Sequence, residues 1–69
     1  MVMIFYDRSK LQNRDEAIIR IMDAEYFYKP RVRDEVVICG ITYVVYSVTI
    51  NYDEKTIDVI VDEICSFKR

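Results

Sequence analysis

EVVICGITYVVYSVTINYDEKTIDVIVDEI, residues Glu35–Ile64, decides the fold. Three runs rich in β-branched and aromatic residues, Glu35–Cys39, Ile41–Tyr52 and Thr56–Ile64, follow one another with almost nothing between them. Such runs have the composition of strands, and connections this short require neighbours to pair antiparallel. The chain's one glycine, Gly40, stands between the first two runs. A turn is expected there, because glycine alone in that neighbourhood takes positive φ without strain.

The long middle run is read by parity. Tyr43 and Val45 share one face, whereas Val48, Ile50 and Tyr52 have the opposite parity. For both sets to be core, one extra residue must sit at Tyr46-Ser47, which is a β-bulge that bends the strand and lets a small barrel close. Without the bulge, Val44, Tyr46, Val48 and Ile50 form one apolar face and the sheet stays open. In Thr56–Ile64 the pattern is cleaner: Ile57, Val59 and Val61 alternate with Asp58, Ile60 and Asp62, so one face is buried and the other is wet.

Working outward, Met1–Tyr6 reads as a strand and the polar Asp7–Asp15 as a loop with room for one turn of helix at Ser9–Asn13. Glu16–Met22 has two readings. After the cap-like Asn13-Arg14-Asp15-Glu16, a helix would align Ile18, Ile21 and Met22, with Glu25 at the end of the same face. The β-branched Ala17–Ile21 instead fits a strand hairpinned onto Met1–Tyr6, and this is favoured because the helix would be very short. The expected fold is therefore a single all-β domain over residues 1–69, with strands near 1–6, 16–22, 34–39, 41–52 and 56–64. An α+β arrangement with a helix near residues 13–25 is the alternative.

At 69 residues the core is small, burying about 60% of the surface the unfolded chain exposes. Domains of this size usually supplement the core with disulfides, a metal or self-association. With no histidine and only two cysteines, Cys39 and Cys65, a zinc site lacks ligands. A Cys39–Cys65 bridge stays open, but no signal peptide or cysteine framework accompanies it, so buried free thiols in the cytoplasm are expected. Self-association remains. Nine aromatics exceed what so small a core holds, and Tyr26-Phe27-Tyr28 are consecutive. No apolar run approaches the roughly 20 residues of a membrane helix.

From Pro30 the chain reads Pro30-x-Val32-x-Asp34-x-Val36-x-x-x-Gly40-x-x-Tyr43-x-Val45-x-x-Val48. This resembles the pattern of small SH3-like β-barrel proteins, many of them short bacteriophage and prophage products without an assigned role. The resemblance implies a five-stranded SH3-like barrel with a bulged long strand, a Pro–Asp segment entering a strand, and Tyr43, Val45 and Val48 in the barrel. Arg33 stands where that pattern has glycine. Positive φ is harder for arginine, so a different turn before Asp34 is expected.

Little here points to catalysis. General base duty would fall to carboxylates, and Cys39 beside Ile38 and Gly40 reads as inert and buried. No cofactor and no metal site are expected; Asp53, Asp58 and Asp62 read as solvated charge. The best binding candidate is Tyr26, Phe27 and Tyr28 with Lys29, Arg31 and Arg33: rings that stack on bases and cations that meet phosphate. Against it stands a loop that crosses one barrel end, its rings plugging the core.

Charge is divided. Residues 1–33 hold seven basic and five acidic side chains, and residues 34–69 three basic and seven acidic. A net charge of −2 disfavours direct nucleic-acid binding. Three functions follow in order of expectation. The first is a phage- or prophage-type accessory protein that self-associates and binds a partner, through contacts drawn from Phe5, Tyr26, Phe27 and Tyr28. The second is an oligomeric module that sequesters a phosphorylated nucleotide. The third is an acidic inhibitor of a host protein, with Asp53, Glu54, Asp58, Asp62 and Glu63 imitating phosphates. A cytoplasmic location is expected, the host's if the chain is phage-encoded.

Overall fold

The computed structural model describes residues 1–25 and 29–64. Five strands form one mixed sheet: β1 (Val2–Asp7), β2 (Ile18–Asp23), β3 (Glu35–Ile38), β4 (Ile41–Asn51) and β5 (Thr56–Glu63), in spatial order β2-β1-β5-β4-β3. The sheet curls into a nearly closed, barrel-like form with almost no helix. The all-β reading holds, and the five strands fall within two residues of the expected bounds. The alternative helix over 13–25 is replaced by β2, preceded by a single turn of helix, α1 (Arg14–Ala17). Asn13 caps that turn by accepting the Glu16 amide at 3.4 Å. Four residues cannot sustain a helix alone, and the isoleucines that follow extend the chain.

The bulge in β4 lies where parity requires it. Val45 pairs with Val61 and Ser47 with Ile60, leaving Tyr46 as the extra residue. Tyr43 and Val45 are buried before the bulge, and Val48 and Ile50 pack against the same core after it. Tyr52 departs from the expected core set: it sits in the β4–β5 turn, 76% exposed. From β5, Ile57, Val59 and Val61 complete the core, together with Met3, Phe5 and Ile38.

Two features go beyond the sequence reading. First, β1 is an interior strand, antiparallel to β2 and parallel to β5. Its apolar character on both faces is explained by this. Met3 and Phe5 point into the core, and Tyr6 is buried with Ala17 apart from that cluster. Phe5 is core, and this removes it from the expected contact surface. Second, the β1–β2 connection, expected as a loop with room for one turn of helix at Ser9–Asn13, carries a 3-10 turn at Arg8–Lys10 and then α1. It is tied to β5 by Arg8–Asp62 at 3.4 Å and Arg14–Asp58 at 3.6 Å. The same guanidinium groups lie over the Tyr46 and Tyr6 rings, at 4.0 and 4.6 Å. Asp58 and Asp62 are thus ion-paired within the chain, where simple solvation was expected.

The turns are compact because several residues accept left-handed backbone. Cys39 and Gly40 have φ of 53° and 79° between the paired Ile38 and Ile41, the two-residue turn whose twist matches a hairpin. Gly40 therefore shares its positive φ with Cys39. Arg33 has φ 79° and keeps the left-handed turn that its side chain was expected to change. Asp34 holds that turn in place: its carboxylate accepts the Arg31 amide at 2.8 Å, and its own amide donates to the Arg31 carbonyl at 3.0 Å. Among the described residues no helix is long and apolar enough to cross a membrane.

Candidate binding cleft

A curled sheet that is not fully closed leaves its two edge strands facing each other, and here these are β2 and β3. At one end of the opening the Arg20 guanidinium reaches from β2 to donate to Cys39 Sγ at 3.3 Å, beyond the end of β3. Towards the other end lies a cleft of about 480 Å³. Met3 and Phe5 of β1 line it with Met22 of β2, Val36 of β3 and the buried Pro30. The acidic residues Asp34 and Glu35 complete its lining. Pro30 thereby acquires a role: without an amide hydrogen, it covers an apolar wall without leaving a donor unpaired.

Backbone geometry fixes which amides line the opening. The Val45 amide donates to the Asp34 carbonyl at 2.8 Å, so residues 34, 36 and 38 turn their backbone groups towards β4. By the alternation of an antiparallel pair, Glu35 and Val37 turn theirs to the open side. On β2, the Ala24 amide donates to Met1, and the same alternation leaves Ile21 and Asp23 facing the opening. Among the described residues neither edge has a strand partner on that side.

The expected site residues scatter around this cleft. Lys29, Arg31 and Arg33 are exposed on the segment that supplies Pro30 and Asp34, but they do not line the cleft. Tyr26, Phe27, Tyr28 and Cys65 lie outside the described residues. Cys39, expected to be buried, is an exposed free thiol because it occupies the turn beyond β3. The acidic residues share one hairpin but not one surface. Asp53 and Glu54 are exposed at its turn, and Asp58 and Asp62 are paired with Arg14 and Arg8. Glu63 is opposite Tyr43 on the other parity. Among the described residues, no three histidine, cysteine or acidic side chains come together to hold a metal ion.

Electrostatics at the Glu63 end are felt by Tyr43. Burial pushes its phenol pKa upward, and the nearby Asp7 and Glu63 carboxylates and the Cys39 thiol add to the shift by opposing phenolate charge. The cleft itself was not anticipated from sequence. It is made by residues from Met3 to Val36 that no local pattern connects, although Phe5, Pro30, Asp34 and Val36 were each singled out for other reasons. No family model, curated protein or solved structure matches the chain.

Proposed function

We propose that this chain is a small non-catalytic binding protein that self-associates and docks on a partner, as an accessory protein of the phage or prophage type its motif resembles. One observation carries the reading: both edge strands expose a large apolar side chain, Val37 at 67% on β3 and Ile21 at 56% on β2. Natural monomers protect sheet edges with charge, proline or a covering segment, whereas apolar groups on an open edge favour pairing with another chain. The exposed cations Lys29, Arg31 and Arg33 and the exposed anions Asp53 and Glu54 supply opposite charges for contact between copies. A cytoplasmic location goes with this reading, the host's if the chain is phage-encoded.

Sedimentation velocity at micromolar concentration tests it. A symmetric dimer or small ring is expected, and Val37→Lys should shift it towards the 8.3 kDa monomer. An unsubstituted chain that sediments only as monomer overturns self-association. The nucleotide reading has less support, since the cleft is lined by apolar residues and the acidic Asp34 and Glu35. The phosphate-mimic reading has less as well, because two of its five acids are already paired with arginines.

A further inference from the structure

The cleft combines three properties: an apolar floor, the acidic Glu35 in its lining, and a strand edge with no strand partner among the described residues. We propose that it receives a short extended peptide from another protein, added along β3, with an apolar side chain lowered onto Met22 and Val36 and a lysine or arginine beside Glu35. Strand addition follows from the Glu35 and Val37 backbone groups, which face the opening and supply donors and acceptors to a chain laid antiparallel. Apolar selectivity follows from Met22 and Val36, which are part-buried and line the cleft. A cleft of about 480 Å³ lies within the range of ligand pockets and has room for a few side chains.

The charge preference comes from Glu35, which is exposed and sits on β3 between Asp34 and Val36. Asp34 is already committed to the Arg31 amide, so Glu35 is the carboxylate left for a partner. Opposite charges on neighbouring strands attract and like charges repel. The favoured sequence is therefore apolar-basic-apolar, with alternate side chains on opposite faces.

The probes are acetyl-Thr-Val-Lys-Val-Thr-amide, its Glu counterpart, and a version of the lysine peptide N-methylated at alternate amides. Binding is followed by methyl NMR at Met22 and Val36. The lysine peptide should shift both methyl sets at millimolar concentration and bind about fivefold better than the glutamate peptide. Glu35→Gln, at an exposed position, should remove that preference without moving the melting temperature. N-methylation should weaken binding about tenfold by removing strand hydrogen bonds. Unmoved methyl signals, equal binding of the lysine and glutamate peptides, or indifference to N-methylation each overturn the proposal. It rests on the reading as a binding protein but not on self-association. A monomer that binds the lysine peptide overturns only the oligomer, and an oligomer blind to all three probes overturns only the peptide site.

Discussion

Among the described residues three besides glycine, Arg33, Cys39 and Lys55, hold left-handed backbone, and each sits where the chain turns into or between strands. Such conformations cost about 1–3 kcal/mol for ordinary side chains and persist because the surrounding ladder over-determines them. Gly40 avoids the cost. A Cβ placed there would meet nothing within 4 Å, so Gly40→Val should destabilise chiefly by backbone strain, about 1–3 kcal/mol, read from the urea midpoint. Cys39→Asn should act in reverse and stabilise by up to about 1 kcal/mol, because Asn-Gly is the preferred pair for this turn. The glycine was legible in the sequence and its cysteine neighbour was not, since cysteine has no turn preference to betray it. Tyr43 offers a test by pH. Its phenol is more basic folded than unfolded, so its contribution is intact below the unfolded value near 10 and is lost as pH rises through the folded value. The slope of stability against pH above about 10 should therefore flatten in Tyr43→Phe.

At the level of elements, β4 shows what alternation can and cannot reveal. The switch of parity between Tyr43-Val45 and Val48-Ile50 announced an extra residue near Tyr46, because a strand with a constant period of two cannot bury both pairs. Deleting Tyr46 should accordingly leave both pairs on one parity and remove only the bend. A loss smaller than the roughly 3 kcal/mol of an emptied core position is expected, and thermal unfolding measures it. The strap formed by the 3-10 turn and α1 was hidden, since its partners Arg8 and Asp62 are 54 residues apart and no local pattern joins them. Asp58 is the better buried of the two carboxylates and also accepts the Thr56 hydroxyl at 3.1 Å. Asp58→Ala should cost about 1 kcal/mol and Asp62→Ala less, both differences narrowing in high salt.

For the whole molecule, the strand count, the barrel-like closure and the bulge followed from composition and parity. The order of strands did not. Nothing in residues 1–6 says that their second neighbour is the last strand, because periodicity describes faces and not partners. The cleft was illegible for the same reason: it belongs to the gap between β2 and β3, which only the finished sheet defines. If self-association supplements the small core, the melting temperature should rise with protein concentration over the micromolar range. A midpoint independent of concentration would separate folding from assembly.

The parallel seam between β1 and β5 sets the order of events during folding. Val2 meets Thr56 and Asp7 meets Val61, so every pairing across the seam closes a loop of 54 residues. The β3-β4-β5 meander, by contrast, forms through turns of two and four residues. Entropy favours the local pairings first, and the seam that joins β1 to β5 is among the last contacts to be fixed. A chain emerging from the ribosome thus carries one side of β1 unpaired until β5 has been synthesised. Substitutions in β1 should accelerate unfolding and leave the refolding rate nearly unchanged, whereas those at the Cys39-Gly40 turn should slow refolding.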